Sequence, residues 1–517
     1  MDVAPRCAMA LVAFLLPLLA AANPADAQVR AAAVRADVQD DDGAALLQLV
    51  AAEHRGGRAA QAPQEHYWPH SRGQVGHYSQ TAYGKMPEDL NKSLAWSWDA
   101  PNYNTILWST LIDSQKNVYV VGLDGIWKFT PEGKHVWFSP MSSESPSLVG
   151  DKLIGMRMFD CVAFALSLET GAVLWQKKIW PDNGPHGDFV EAHNGVAVVG
   201  VGLLGQLNSA GSPSSHAAGF SVENGDLLWT YEVQADCGLW NVMALFPDDE
   251  STIFSDACGG VYRLGLQNGT LLWHARGSVD SFSDGGSTLG PDGSTYTCSQ
   301  PDNSYGAEAF EPGVLRKYRL SDGAKLWETF LPYPCVNFPS VSPDGRSVIA
   351  APGGLALEAK TKLVKGMPQD QRKDFYLQQL DLGSKQRSFW NMSDLEASIM
   401  AFDTATGQLQ WRHDVTPWGG VAFAGDEKRA WNWANHPIKY IIPHCWPSHW
   451  SSATIDEDGA VFIGRSSGDF YVYNPKTDVE KTFSFGDGVL MGGAAFAPGL
   501  MVFASCSSVY AFHLPEV

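Results

Sequence analysis

The sequence predicts an all-β chain folded as an eight-bladed β-propeller of four-stranded blades, closed by pairing of an N-terminal strand with the C-terminal blade. Three observations predict it: a recurring glycine–tryptophan spacing, a second series of tight turns, and two ends that complement each other. The composition agrees, since 51 glycines, 30 prolines and 19 tryptophans in 517 residues favour many short strands joined by turns.

The recurring element is a turn glycine followed four residues later by tryptophan, as in "ETGAVLW" at 169–175. Glycine supplies the positive φ of a hairpin turn, and the strand that follows alternates its faces. A tryptophan at a constant distance from the turn can bury a large apolar area against a neighbouring copy. Six copies occur: Gly133/Trp137, Gly171/Trp175, Gly225/Trp229, Gly269/Trp273, Gly323/Trp327 and Gly407/Trp411.

A second tight turn, flanked by its own strand signals, accompanies each unit and raises the count of units to eight. These turns lie at 113–117, 149–151, 193–195, 247–250, 291–293, 343–345, 456–459 and 497–499. The resulting spacing of about 53 residues suits a four-stranded blade with some long loops.

The two ends of the repeat region are complementary. The last unit supplies three strands, whereas "SLAWSWDAP" at 93–101 reads as a tryptophan-bearing outer strand without partners. Pairing the two would close a ring and remove two exposed sheet edges. An open solenoid is the alternative, and it would leave both ends uncapped.

The pattern Ala401-Phe-Asp403…Gly407…Trp411 resembles the repeat of the PQQ-like (quinoprotein alcohol dehydrogenase-like) β-propeller family. The stretch "YWPHSRGQVGHYS" at 67–79 also resembles the Trp-Pro lead-in of such propellers. Two departures stand out: Ser167 replaces the aspartate of the pattern, and the seventh unit, "YVYNPKTDVEKTF", lacks both the glycine and the tryptophan. The family contains PQQ-dependent dehydrogenases as well as propellers that bind no quinone.

The segments before the repeats predict a secretory route. Residues 1–27 read as a signal peptide, with an uncleaved anchor as the alternative; residues 28–66 read as an Ala-rich leader, flexible or a short helix; residues 67–517 form the propeller. After signal removal we expect no transmembrane segment, and a secreted or secretory-pathway lumenal protein. The sequons at Asn91, Asn268 and Asn391 fit a glycoprotein.

The net charge bears on which partners the chain can bind, and the cysteine content bears on its cellular compartment. A net charge of -20 without clustered Lys and Arg argues against nucleic acid. Seven cysteines follow the predicted signal peptide, and an oxidising compartment permits one to three disulfides. Proximity in the sequence suggests Cys237 with Cys258 and Cys298 with Cys335.

Loop lengths distinguish the two faces of the predicted ring. Turns after the first and third strands of each blade share one face and are short throughout. Long insertions follow second or fourth strands, at 203–217, 299–313, 353–397 and 415–450. We call the face that carries them the long-loop face, and expect it to bind a small-molecule ligand or a protein partner.

The insertion at 415–450 concentrates aromatic and imidazole side chains, and aromatic-rich loops more often pack as their own small core. An aromatic ligand-binding wall and a metal site are the functional interpretations, although the spacing matches no compact metal motif. Carboxylates on the same face are further candidates, for which turn chemistry is the plainer explanation. The candidate residues are Trp418, Trp431, Trp433, His436, His444, Trp446, His449, Trp450, Asp188, Glu191, Asp280 and Asp284.

The main hypothesis is a secretory-pathway PQQ-like propeller that acts as a ligand- or protein-binding module through its long-loop face. The resemblance implies one alternative, an alcohol or sugar dehydrogenase that uses PQQ with Ca²⁺ and a carboxylate base. Many such enzymes stack the quinone on a disulfide between adjacent cysteines, and this sequence has no Cys-Cys dipeptide. A second alternative is an assembly scaffold of the outer-membrane assembly propeller type.

Overall fold

The computed structural model describes residues 66–101, 106, 110–157, 160–180, 185–187, 189–203, 216–234, 237–239, 243–247, 249–278, 281–283, 286–302, 312–335, 337–353, 396–418, 424–425, 450–489 and 492–515. The chain divides into two units, residues 1–62 and 63–517, and every described residue belongs to the second. The predicted signal peptide and residues 28–65 of the predicted leader lie outside the described residues. In the described part of the chain we find no helix long and apolar enough to cross a membrane.

Eight small sheets arranged in a ring confirm the predicted eight-bladed propeller. Four short strands precede the first complete blade: β1 (Gly73–Gln74), β2 (His77–Tyr78), β3 (Gln80–Thr81) and β4 (Leu94–Asp99). Blade 1 contains β5 (Leu111–Ile112), β6 (Val118–Gly122), β7 (Gly125–Phe129) and β8 (His135–Ser139); blade 2 contains β9 (Ser147–Val149), β10 (Lys152–Met156), β11 (Val162–Ser167) and β12 (Val173–Lys178). Blade 3 contains β13 (Pro185–Gly187), β14 (Glu191–His193), β15 (Val196–Leu203), β16 (His216–Ser221) and β17 (Leu227–Glu232).

The remaining blades follow the same order from the innermost to the outermost strand. Blade 4 contains β18 (Ser251–Ser255), β19 (Val261–Gly265) and β20 (Leu271–Ala275), and an isolated bridge from Leu245 to Ile253 marks its inner position. Blade 5 contains β21 (Ser287–Gly290), β22 (Ser294–Ser299), β23 (Gly313–Arg319) and β24 (Lys325–Leu331); blade 6 contains β25 (Ser340–Val341), β26 (Ser347–Ala350), β27 (Ser398–Asp403) and β28 (Leu409–Asp414). Blade 7 contains β29 (Thr454–Asp456), β30 (Val461–Gly464), β31 (Asp469–Asn474) and β32 (Val479–Ser484); blade 8 contains β33 (Ala495–Ala497), β34 (Leu500–Ala504) and β35 (Ser508–His513).

The ring closes as the sequence predicts. Strand β4 pairs antiparallel with β35, with Trp98 opposite Val509 and Trp96 opposite Ala511. Blade 8 therefore takes three strands from the C-terminus and its outer strand from the N-terminal side. Strand β3 adds to the inner edge of blade 7, parallel to β29. Because β4 completes blade 8, the ring is closed and the two sheet edges that an open array would expose are removed.

Six outer-strand indoles each lie against the turn glycine of the following blade. A Cβ added to Gly171 would lie 2.7 Å from the ring of Trp137, and φ at Gly171 is 71°, so this position accepts only glycine without strain. The Trp137 indole also donates a hydrogen bond to the Leu168 carbonyl of blade 2, at 3.1 Å. The contacting pairs are Trp96–Gly133, Trp137–Gly171, Trp175–Gly225, Trp229–Gly269, Trp273–Gly323 and Trp327–Gly407.

At three of these seams a buried cation shares the carbonyl that the indole uses. Lys128 donates to Leu168 O at 2.7 Å, Arg263 donates to Leu320 O at 2.6 Å, and Lys317 donates to Thr404 O at 2.7 Å. The same three carbonyls accept from the indoles of Trp137, Trp273 and Trp327. Both donors come from one blade and the acceptor from the next, so these bonds tie successive blades together.

A β-bulge precedes the tryptophan on the outer strands that carry it, so the simple face alternation expected from the sequence is interrupted there. In blade 3, Leu227 lies opposite Phe220 and Trp229 opposite Gly219, which leaves Leu228 as the extra residue. Blade 7, which lacks the glycine and the tryptophan, pairs β31 with β32 without a register shift. Glycine, bulge and tryptophan are therefore lost together.

Candidate functional site

Residues 66–81, which we call the axial segment, pass through the centre of the ring and contact all eight blades. Seven of the contacts are hydrogen bonds and the eighth is a ring contact. In blade order they are Trp68 with Ile112, Pro69 with Leu148, His70 with Ala192, Tyr78 with Phe246, Arg72 with Ser287, Arg72 with Pro339, Ser79 with Ile455, and Trp68 with Phe496. A segment that reaches every innermost strand must occupy the propeller axis.

Arg72 is the most heavily bonded side chain of the axial segment. Its Nη1 donates to the Ser287 carbonyl at 3.0 Å, and its Nη2 donates to the Pro339 carbonyl at 2.6 Å. Its Nε donates to the Ser79 hydroxyl at 2.7 Å, and its guanidinium lies 4.9 Å from the centre of the Phe338 ring. Burial lowers the pKa of Arg72 to about 9, so the group stays charged at neutral pH.

Glu191, one of the candidate carboxylates, begins β14 and faces the axis. The Ser71 hydroxyl donates to its Oε1 at 2.6 Å, whereas its buried Oε2 has no hydrogen-bond partner among the described residues. Burial raises the pKa of Glu191 to about 8, against the smaller lowering effects of Ser71 and Arg72. The side chain is only 1% exposed, so it belongs to the interior of the ring.

His70 fixes the axial segment to blade 3. Its ring nitrogens lie 2.9 Å from the Ala192 carbonyl and 3.2 Å from the Gly73 carbonyl. A neutral imidazole has a single N–H, so it donates to one of these carbonyls at a time. Burial lowers the pKa of His70 to about 4, which keeps the ring neutral at physiological pH.

Replacing Glu191 with glutamine is expected to flatten the fall in stability between pH 6.5 and 8. The Glu191 pKa is 4.5 ordinarily and about 8 in the fold, so on raising the pH the unfolded chain releases this proton first. The contribution to stability is therefore complete below about pH 4.5 and is lost towards pH 8, by about 1.4 kcal/mol per pH unit. Glutamine cannot ionise and still accepts from Ser71. Urea unfolding of both proteins across this range measures the effect, and parallel pH profiles would contradict it.

His70→Gln is the matched variant. It should change the pH dependence of stability in the opposite direction from Glu191→Gln, and at lower pH. The pKa of His70 falls from 6.5 to about 4 in the fold, so its contribution to stability is present above pH 6.5 and is lost as the pH drops towards 4. His70→Gln should consequently change the profile only below pH 6.5. The change in stability between pH 6.5 and 8 then reports on Glu191 without a contribution from His70.

The described part of the axis does not fit PQQ, the cofactor that the resemblance implies for the enzymes of its family. A flat quinone needs a stacking slot, cations for its carboxylates, and oxygen ligands for an accompanying Ca²⁺. Here Arg72 already bonds to blades 5 and 6, and Ser71 already bonds to Glu191. In the described part of the axis these donors are thus engaged within the protein and are not free for a quinone's carboxylates.

Disulfides concentrate at the long-loop face. Cys237 bonds to Cys258 and Cys298 bonds to Cys335, which confirms both predicted pairs. Cys506 is disulfide-bonded as well. The sequence position of each cysteine, near the end of a second strand or after a fourth strand, places these bonds on the face with the insertions. That face is therefore held by covalent links.

One cluster has the composition of a metal site but its bonding excludes that role. The ligand atoms of Cys237, Asp256 and Cys258 lie within 4.8 Å of one another. The two sulfurs, however, are bonded together, and the Asp256 carboxylate accepts from the backbone N–H groups of Cys258 and Gly260 and from the Tyr262 hydroxyl. Asp256 stabilises its own turn.

The described candidates from the 415–450 insertion lie in or near the core. Trp418 is half-buried, and Trp450 is fully buried between blades 6 and 7, where its indole donates to the Pro352 carbonyl at 3.3 Å. Arg465 lies 5.5 Å from the centre of the Trp450 ring. The remaining candidates fall outside the described residues: Trp431, Trp433, His436, His444, Trp446, His449, Asp188, Asp280 and Asp284.

Sequence reasoning missed the interior role of His70, Ser71 and Arg72. Their signal was present in "WPHSRG", where three polar residues interrupt an aromatic lead-in immediately before a glycine. Such a run ordinarily reads as a surface loop. Only the assembled ring, with a polar-lined axis, turns it into buried structure.

Comparison with known proteins supports the repeat assignment. The family described as "Outer membrane protein assembly factor BamB" matches residues 96–329. Similar solved structures include BamB from Moraxella catarrhalis, at 13% identity and a TM-score of 0.50, covering 81% of this chain and 99% of that one. The quinohemoprotein alcohol dehydrogenase from Comamonas testosteroni has 11% identity and a TM-score of 0.56, covering 89% and 83%.

A europium-containing methanol dehydrogenase is also similar, with 10% identity, a TM-score of 0.53, and coverage of 86% of this chain and 98% of that one. The comparison with curated protein sequences gives no match. At these identities the structural similarity shows the fold, and function has to be argued from the residues. The repeat pattern, the eight-bladed ring and the family match over residues 96–329 are consistent with a PQQ-like β-propeller repeat family.

Proposed function

We propose that this chain is a binding module of the secretory pathway that takes a protein partner on its long-loop face and uses its axis as a structural seal. The observation that carries the proposal is the axial segment, which contacts all eight blades and fills the centre of the ring. A small ligand would ordinarily enter a propeller there. With the axis occupied, the elaborated loops are the surface best suited to recognition.

Cysteine pairing supports the secretory placement. Disulfides persist in oxidising compartments and are rare where thiols are kept reduced. Both described bonds join segments of the long-loop face, so they also rigidify the surface that we propose for binding. A rigid face loses less conformational entropy when a partner binds.

A protein partner accounts for the observations better than a small molecule or a quinone. The matching family is described as an assembly factor, which favours docking of proteins. The similarity to quinoprotein dehydrogenases is one of fold, and the axial donors of this chain are already engaged by its own backbone.

The decisive experiment shortens one long loop without disturbing the ring. Residues 204–215 connect β15 to β16, and replacing them with a short Gly-Ser linker should abolish partner capture from the secretory fraction of the native source. Capture should persist with Glu169→Lys, a matched change in a short turn on the opposite face, where Glu169 is exposed. Equal thermal stability of the two variants is the control for folding. Capture that is insensitive to the loop would overturn the proposed face.

The dehydrogenase alternative has its own test. Purified protein incubated with PQQ and Ca²⁺ is expected to carry no quinone absorbance after gel filtration and to show no dye-linked alcohol oxidation. Stoichiometric quinone on the protein would mean that the cofactor binds despite the axial segment. The proposal that this segment closes the propeller axis would then be wrong.

A further inference from the structure

A row of exposed apolar side chains runs along the outer strands of blades 2, 3 and 4. In each of these strands the two residues before the tryptophan are aliphatic and about half exposed, and the second of them is the extra residue of the β-bulge. Several large apolar side chains exposed on neighbouring blades can mark a surface that another group covers. The leucine row consists of Val173 (45% exposed), Leu174 (49%), Leu227 (46%), Leu228 (45%), Leu271 (43%) and Leu272 (52%).

Asn268, the acceptor residue of a sequon, lies in the turn that precedes the blade 4 part of this row. It is exposed in the turn between β19 and β20, and Leu271 and Leu272 follow it by three and four residues. On the other side, the Trp229 indole lies against Gly269 and donates to the Leu266 carbonyl at 2.7 Å. That contact brings the neighbouring Leu227 and Leu228 beside the same turn.

We propose that Asn268 carries an N-linked glycan that covers the leucine row on blades 3 and 4. The inference depends on the secretory route of the proposed function. In the transfer, the Asn268 amide nitrogen bonds to the anomeric carbon of a lipid-diphosphate-linked oligosaccharide, an N–H proton is released and the lipid diphosphate leaves, with no oxidation or reduction. The attached sugar is bulky and soluble, which is what an exposed apolar row requires.

Equivalent positions of the repeat supply a comparison within the chain. Asn91, Asn224 and Asn268 each stand five residues before the tryptophan of their outer strand. Asn91 and Asn268 belong to sequons and are exposed. Asn224 is exposed too, but Asp226 occupies the sequon's hydroxyl position and accepts a hydrogen bond from the Asn224 amide at 2.7 Å. Blade 3 therefore has the same turn without the acceptor motif.

A second copy of the chain is a poorer occupant of this surface. The turns that border the leucine row carry exposed acidic residues, among them Glu169 and Glu250, whereas Glu223 pairs with Lys152. The whole chain carries a net charge of -20, so two copies that meet here would bring like charges together. A neutral glycan has no such cost.

The test uses the full chain secreted from a eukaryotic host. Peptide mass spectrometry before and after glycosidase treatment should find Asn268 occupied and Asn224 unmodified. Thr270→Ala should remove the glycan, and Asp226→Thr should add one at Asn224. The unglycosylated Thr270→Ala protein should bind more of an apolar dye and self-associate more than the wild type. Leu228→Ser with Leu272→Ser in the same background should reverse both changes, and Thr270→Ser should behave as the wild type.

Each outcome bears on a separate part of the inference. An unmodified Asn268 in a secreted, disulfide-bonded chain would overturn the modification. An occupied Asn268 whose loss changes neither dye binding nor association would overturn the covering role. Partner capture should be equal for the wild type and Thr270→Ala, since the long-loop face is on the other side. The proposed function fails by a different result, namely capture that persists without residues 204–215.

Discussion

Replacing Arg72 with methionine is expected to destabilise the propeller by about 3 kcal/mol or more. Methionine preserves much of the length and volume of the side chain but donates no hydrogen bonds. The carbonyls of Ser287 and Pro339, which belong to blades 5 and 6, would then be left without these donors inside the ring. Each buried polar group that loses its partner costs about 1–3 kcal/mol.

Exchange of buried ionic groups for apolar ones is sometimes neutral, and Arg72 differs for a structural reason. That neutrality requires removal of both partners, so that no polar atom remains unpaired. Here the acceptors are main-chain carbonyls, which no side-chain substitution can remove. The cost should therefore appear in full.

Arg319→Met is the matched control, because Arg319 is half-exposed and pairs with the exposed Asp322 in a turn at the rim. Solvent replaces such a pair at little cost. Urea unfolding followed by near-ultraviolet circular dichroism compares the two variants at pH 7. Equal midpoints for Arg72→Met and Arg319→Met would show that the axial hydrogen bonds do not stabilise the ring.

The ring could be predicted from the sequence because its signals are local and repeated. A turn glycine such as Gly171 and the tryptophan that follows it reveal a blade without knowledge of the other blades. Closure followed from a strand, 93–101, that lacked partners at one end of the chain while the other end lacked a strand. The disulfide pairs were also readable, since Cys237 and Cys258 lie close in sequence, where two consecutive blades meet.

The interior of the site could not be predicted, because it depends on contacts across the whole chain. Arg72 bonds to Pro339, 267 residues away, and nothing near Arg72 in the sequence identifies this acceptor. Glu191 reads as a loop carboxylate until the axial segment is placed beside it. The bulge was missed for a related reason, since it changes strand pairing at Leu228 without leaving a glycine or proline as a marker.

Replacing Trp137 with alanine is expected to cost about 3–5 kcal/mol, the usual range for a buried tryptophan. The side chain is 8% exposed, packs against Gly171 and donates to the Leu168 carbonyl. Lys128 would keep its bond to that carbonyl, so the loss should reflect mainly the cavity between blades 1 and 2. Trp411→Ala should cost less, because Trp411 is only half-buried and meets Tyr473 of the blade that lacks the turn glycine.

A double-mutant cycle between Trp137 and Gly171 separates packing across the seam from strain within the turn. Gly171→Ala alone must place a methyl group 2.7 Å from the indole and hold alanine at a φ of 71°, so it should cost more than the roughly 1–2 kcal/mol of the left-handed conformation. In the Trp137→Ala background the indole is gone and only the conformational cost remains. The two substitutions should therefore be less than additive in denaturant unfolding. Strict additivity would mean that the glycine serves its own turn and makes no room for the indole of the preceding blade.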